Sequence, residues 1–428
     1  LGDEYESQKP NTEHLFHRFP PCAIVWRMND TNFPVMPRRR FGRTELAMPV
    51  LSCGGMRYQH AWQDKERHEI PAESQANVEA CIRRSVALGI NHIETARGYG
   101  TSEFQLGPVL KEFPRDQLIV QTKVGPKDTA AEFIETVTLS LKNLEMDQVD
   151  LLAVHGINNR EILENIQKPG GTLEAARALK RQGVCKHLGF STHGPVEAIV
   201  AAIETDAFDY VNLHWYFVND VNRPAIEAAR RHDMGVEIIS TNDKGGKLYE
   251  PPEKLVRLCA PLSPMQFNDL YCLANEDVHT LSLGAAKPSD FDEHVLGLAR
   301  YGERAAIASD IAARLRAEMV AQLGADWCAH WMDGLPDWTR VPGHVNLWEI
   351  IRLWNYATAL DMEAFAKLRY NLLGQGDHWF PGLNAADFDE TAILGCLDGY
   401  RFAERIPALL RDAHQRFFEA PKKRLSES

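Results

Sequence analysis

Ile93-Glu94-Thr95-Ala96-Arg97-Gly98-Tyr99-Gly100 and Gln121-Thr122-Lys123-Val124 decide how this chain folds. Each opens or forms a β-branched, apolar run that reads as a strand and delivers ionisable residues, Tyr99 and Lys123 among them, where the strand meets a loop. Lys and Tyr are poor choices there for stability alone. A third run, Leu151-Leu152-Ala153-Val154, ends on His155 in the same way. Three such endings predict a proton-donating site at one end of a sheet or barrel.

Working outward, the same unit repeats. Leu51–Gly55, His92–Thr95, Leu118–Val124, Leu151–Val154, His187–Ser191, Tyr210–Trp215, Val236–Ser240 and Val278–Leu283 read as strands. Between them lie apolar stripes of helical period, such as Val78, Ile82, Val86 and Ile90, with Gly89 placed to end that helix. Others run through Phe133, Ile134, Val137, Leu141 and Leu144, or begin at Val196, Ala225, Met265 and Phe291. Eight strand-then-helix units over about 250 residues predict an α/β fold, a closed (β/α)8 TIM barrel. A doubly wound open sheet is the alternative. It needs a G-x-G-x-x-G turn after its first strand, and none is there.

Residues 1–38 hold Pro, Asn and charge without periodicity and read as an N-terminal arm, with a hairpin-like turn at Phe41–Leu46. The opening Leu1-Gly2-Asp3-Glu4 lacks Met and a leader pattern, as in a processed or trimmed terminus. The barrel is placed at 39–304. From 305 to 428 the pattern is helical throughout, beginning with Ile307, Ile311, Leu315 and Met319 on one face. Trp327, Trp331, Trp338, Trp348, Trp354 and Trp379 crowd that segment and read as the packing of an all-helical C-terminal domain.

The chain has 428 residues, 44% hydrophobic and 25% charged, with a net charge of −12. That charge argues against attraction to nucleic acid or anionic membrane. No run approaches the roughly 18 apolar residues of a spanning helix. The eight cysteines share no close metal-ligand spacing, which fits free thiols in a reducing cytoplasm. His193 and His214 hint at a metal, but no third ligand is evident, so no metal site is expected.

Glu94, Lys123, His155, Ser191, Asn212 and Ser240 all fall at strand ends, and in a barrel those ends share one mouth. Tyr99 follows one of them. A phenol with an ordinary pKa near 10 is a weak acid, and a nearby ammonium eases its ionisation. Glu94 is suited to hold the Lys123 ammonium, and His155 to orient a carbonyl.

Glu94 to Glu103, with Leu106-Gly107 following, resembles the aldo-keto reductase pattern around its tyrosine. Lys123 and His155 match that family's lysine and histidine in order and strand context. Gly189-Phe190-Ser191-Thr192-His193 resembles its segment beside the nicotinamide. The resemblance, over residues 39 to 300, implies a barrel that reduces small carbonyl compounds with NADP(H) or NAD(H). It implies Tyr99, Lys123, Glu94 and His155 as the catalytic tetrad. For the cofactor it implies Gly54, Gly55, Met56, Ser191, Thr192, Asn212, Ser240, Gly284 and Lys287.

Two departures stand out. The family's tetrad acid is usually Asp, one methylene shorter than Glu94. Where the family grips a 2′-phosphate with Arg and Asn, this chain has Asp290 and His294, so the choice between NADP and NAD stays open. Lys244-Gly245-Gly246-Lys247-Leu248 resembles the branch with a C-terminal ferredoxin-like domain. The cysteines of that domain are reduced to Cys396 or, in an earlier stretch, Cys328, so no iron–sulfur cluster is expected. Besides a reductase, a nucleotide-sensing or protein-binding barrel with little turnover fits these departures. A metal-assisted hydrolase lacks its ligands.

Overall fold

The computed structural model describes residues 33–419. The expected arm lies outside the described residues as far as position 32, and Cys22 with it. Eight parallel strands close a barrel: β1 Leu51–Gly54, β2 His92–Glu94, β3 Ile119–Val124, β4 Val149–His155, β5 Cys185–Ser191, β6 Tyr210–Leu213, β7 Gly235–Ile238 and β8 Thr280–Gly284. Strand β8 pairs back onto β1 from Leu281↔Leu51 to Gly284↔Gly54, which excludes the open sheet.

A helix follows each strand, and the expected stripes face inward. In Ala72–Ala87 the buried residues include Val78, Ile82 and Val86, and Gly89 beyond it has φ +84°. That left-handed conformation costs glycine least. Helix Ala130–Leu144 is started by Thr129 and Glu132, each side chain accepting from the other's backbone N–H. Helices Arg160–Ile166 and Glu253–Cys259 are additional to the eight expected units. Both are seven residues, too short for a periodic stripe to stand out.

The bottom of the barrel is closed from its own N-terminal side. Strands Arg38–Arg40 and Ala47–Pro49 form an antiparallel hairpin. Its turn drives Phe41 into a cluster with Ile119, Leu151, Ala153 and Tyr210. At Gly235 a Cβ would stand 2.7 Å from the Phe41 ring, so a side chain there would displace the plug.

After the last barrel helix, Asp290–Gly297, helices alone remain, including Arg304–Leu323, Leu347–Leu360, Glu363–Tyr370 and Ile406–Phe417. Trp327 is buried among them and donates to Asn355 Oδ1 at 2.7 Å, and Trp354 donates to Asp412 Oδ2 at 2.6 Å. These satisfied indoles are core, as the sequence suggests. Barrel and helices belong to one compact unit. Among the described residues no helix is long and apolar enough to cross a membrane, and the seven cysteines are free thiols.

Candidate active site

Strand register brings the site together. Glu94 pairs with Gln121, so Lys123, two residues on, shares its face. One strand further, His155, Ser191, Asn212 and Glu237 form a paired row across β4 to β7. The Lys123 ammonium, 1% exposed, donates to Glu94 Oε2 and, at 3.0 Å, to the Thr95 carbonyl. Ser282 Oγ on β8 donates to Glu94 Oε1 at 2.7 Å, so the longer acid keeps its lysine and gains a second anchor. A Cβ on Gly54 would stand 2.7 Å from that Ser282 hydroxyl and 3.2 Å from Glu94 Oε1, which is why β1 ends in glycine.

Tyr99 lies in the loop after β2 with its ring centroid 5.0 Å from Lys123 Nζ. His155 meets it edge-on at 5.7 Å, and Trp62 flanks it at 6.4 Å. All four tetrad candidates line one cavity of about 1070 Å³ at the C-terminal end of the strands.

Burial and charge act against each other here. Burial pushes the Tyr99 phenol up, Lys123 pulls it down, Glu94 pushes it up again, and it rests at about 12. The eased ionisation expected from the lysine is therefore outweighed in the free site, and Tyr99 stays protonated at neutral pH. Burial works against the Lys123 charge, but Glu94, Tyr99 and Glu237 outweigh it and its pKa is raised. His155 is held neutral, at about 3, by burial and by the charges of Lys123 and Lys244. The arrangement is thus a protonated phenol beside a permanent cation and a neutral imidazole.

Glu237 is a residue that sequence reasoning missed. It is buried on β7, accepts from Gln121 Nε2 at 3.1 Å, and is pushed up to about 8 by burial and then by Glu94. The available signal was its place inside the apolar run Gly235-Val236-Glu237-Ile238-Ile239.

Of the residues assigned to the cofactor, Gly54, Met56, Ser191, Ser240 and Gly284 line the large cavity. Gly55, Thr192, Asn212 and Lys287 do not. Thr192 is buried with its hydroxyl donated to the Ile157 carbonyl at 2.7 Å. Asn212 is fully buried beside Glu237, its pair on the next strand, and its side chain helps to hold that carboxylate's pKa down. At the end of β8 the Asp290 carboxylate accepts from the backbone N–H groups of Ala286 at 2.9 Å and Lys287 at 3.2 Å. His294 is turned inward onto Asp269, 2.5 Å away. Neither offers a cation to a phosphate.

The opposite wall holds the larger surprise. Trp379, from the helical segment, lines the cavity, with His155 at 5.2 Å and His193 at 5.0 Å. Gly156 (φ +87°) leaves it room, since a Cβ there would stand 2.5 Å from the indole. Packing alone, as expected of these tryptophans, does not describe this one. His193 and His214 do converge, 4.6 Å apart, but Lys244 sits where a metal would, donating to His193 Nδ1 at 2.9 Å. Among the described residues no three His, Cys, Asp or Glu side chains group as metal ligands.

Fold and mouth together define a (β/α)8 barrel of the kind that carries a tyrosine and a lysine at its strand ends. Residues 50–247, a little under half of the chain, match the family model described as Aldo/keto reductase family. The chain is 27% identical over 188 residues to the L-glyceraldehyde 3-phosphate reductase of Escherichia coli (strain K12), covering 40% of this chain and 50% of that protein. With the L-galactose dehydrogenase of Arabidopsis thaliana it shares 31% over 141 residues, 31% of this chain and 40% of the other. The chain spans about half the length of these curated relatives. An aldo-keto reductase structure from Bacillus halodurans shares the fold at a TM-score of 0.53 and 20% identity, covering 64% of this chain and 96% of that one.

Proposed function

We propose that this protein reduces an aldehyde or ketone to an alcohol with a nicotinamide dinucleotide, Tyr99 giving the proton. The observation that carries the reading is the buried Lys123–Glu94 pair beside Tyr99, facing a cavity with His155. A bound nicotinamide supplies the hydride. The carbonyl oxygen then takes the Tyr99 proton, and Lys123 stabilises the phenolate left behind. Neutral His155 orients that oxygen by hydrogen bonding.

The pocket suits the cofactor. Ser191 lines the cavity and pairs with Asn212 on the next strand, and the two are assigned to a carboxamide, which both donates and accepts. Gly54, Met56, Ser240 and Gly284 are assigned with them to the surrounding wall, and Gly55 and Thr192 to the layer that supports it. Lys287 is one local cation for a 2′-phosphate and Arg57, packed against Gly284, is another, but Asp290 already fills the backbone N–H groups next to Lys287. We therefore assign NADH at least equal standing with NADPH. The reaction needs no iron–sulfur cluster. Iron and sulfide analysis of anaerobically purified protein is expected to find neither in stoichiometric amount, and finding both would redirect the electron path.

Fluorescence titration with NADPH, NADP⁺, NADH and NAD⁺, followed by cofactor oxidation at 340 nm with a panel of carbonyl compounds, tests the reading. Binding without turnover would favour the nucleotide-sensing alternative.

A further inference from the structure

A second cavity of about 420 Å³ adjoins the first, and His193, Lys244 and Trp379 line both. Its far side comes from the helical segment: Trp348, Glu349, Arg352, Arg369 and Phe380. The Arg369 side chain is 12% exposed. It stacks on Phe380 at 4.0 Å, and among the described residues none of its N–H groups has a hydrogen-bond acceptor. Its nearest carboxylate, Glu349, is 3.7 Å away and is held by Arg352 in two bonds of 2.7 and 2.8 Å. Lys244 has no carboxylate within bonding distance either. It donates to His193 Nδ1 at 2.9 Å and reaches His214 Nε2 at 3.5 Å.

Arg352 and Arg369 thus share one carboxylate, and Lys244 has none. The other acidic residues lining the cavity, Glu197 and Asp337, are on its exposed rim, and Asp337 is engaged by Thr339. A buried guanidinium with no acceptor is costly, and its planar donor fork matches an oxyanion. Burial and the neighbouring Arg369 charge push Lys244 well below its usual range, the direction expected when a cation lacks its counter-charge. Neutral His193 and His214, both depressed by burial and by Lys244, can only accept from that ammonium.

We infer that Lys244 and Arg369 form a subsite for an anionic group, carboxylate or phosphate, on the substrate whose carbonyl is reduced at Tyr99. The inference rests on the reductase reading. It makes the substrate an oxo acid or a phosphorylated aldehyde, its charged end lodged between barrel and helices.

The test is a matched series: butanal against succinic semialdehyde, and glyceraldehyde against glyceraldehyde 3-phosphate. Wild type is expected to favour the charged member of at least one pair by about ten-fold or more in kcat/KM. In Arg369→Gln that ratio should fall by about ten-fold, and in Arg369→Lys it should fall less. Glu349 keeps Arg352 in these variants, so folding is expected to survive. Equal use of charged and neutral carbonyls by wild type, or an equal loss on both in Arg369→Gln, overturns the subsite. So does a variant that weakens NADPH binding while keeping substrate selectivity, because the anion is then the cofactor's own phosphate. If no carbonyl is reduced at all, thermal shift with inorganic phosphate and with succinate separates the two ideas. Saturable stabilisation of wild type but not Arg369→Gln keeps the anion site while the reductase reading falls. No stabilisation in either protein removes the site.

Discussion

Lys123, buried, and Lys244, half-buried, both stand at the mouth of one barrel, and they are held in opposite ways. Lys123 has Glu94 against it and its charge is reinforced. Lys244 has two imidazoles and a nearby arginine, and its charge is undermined. A lysine with a built-in counter-ion can stabilise a phenolate that forms transiently. One without it stands ready for an anion brought from outside. On the proposed function, electrostatics of the same sign would serve reaction on one wall and recognition on the other.

The strongest way to break this comparison is at the phenol. Tyr99→Phe is expected to lower kcat/KM by about 10³-fold, near the middle of what a positioned proton donor contributes, while dinucleotide binding stays within about two-fold. Unchanged turnover would leave Lys123 with no phenolate to stabilise.

The lysines themselves sharpen it next. Lys123→Met strands Glu94 inside the barrel and should cost about 3–5 kcal/mol in urea unfolding. Lys244→Met removes a charge with no carboxylate partner and should be neutral or stabilising. Equal losses would show that the two environments differ less than their partners suggest.

How far each wall was legible in the chain follows from where its partners lie. Glu94, Lys123 and His155 sit on consecutive strands and Tyr99 in the loop after the first of them, so local pattern and order along the chain were enough to group them. The eight strands were legible for the same reason: each is a short β-branched run between turns. Lys244 was visible only as part of a glycine-rich loop. Arg369 and Trp379 lie on elements more than 120 positions further on, and no local period links a helix-borne arginine to a barrel loop. Glu237 was hidden differently. Its inward direction follows from pairing with Asn212, a matter of register that one strand alone does not reveal. Asp290 was legible as an acid where the resembling family has a cation, but its carboxylate also occupies backbone donors, which no alignment displays.

That last point sets a smaller effect. Asp290→Arg frees the Ala286 and Lys287 N–H groups and adds a cation, and should shift the NADPH-to-NADH affinity ratio upward by about ten-fold. Competitive titration of both cofactors measures it. A ratio already strongly in favour of NADPH in wild type would mean that Lys287 or Arg57 holds the phosphate despite Asp290.

The smallest effect expected concerns Glu237, the second carboxylate behind Lys123. Burial raises its folded pKa to about 8, above the ordinary 4.5 of a free glutamate. A group raised in this way contributes fully only below its unfolded pKa, and that contribution is lost as pH rises through the folded value. Between about pH 4.5 and 8 the native state must therefore either hold a proton the unfolded chain releases or, higher still, carry a buried charge. Glu237→Gln removes both demands and keeps the shape that accepts from Gln121. Its melting temperature should match wild type near pH 4.5 and exceed it by about 2–4 °C at pH 8, with the gap level above that. A gap that instead narrows with rising pH would mean that Glu237 is ionised at neutral pH. Lys123 would then answer to two carboxylates rather than one, and the phenolate at Tyr99 would have to compete with both.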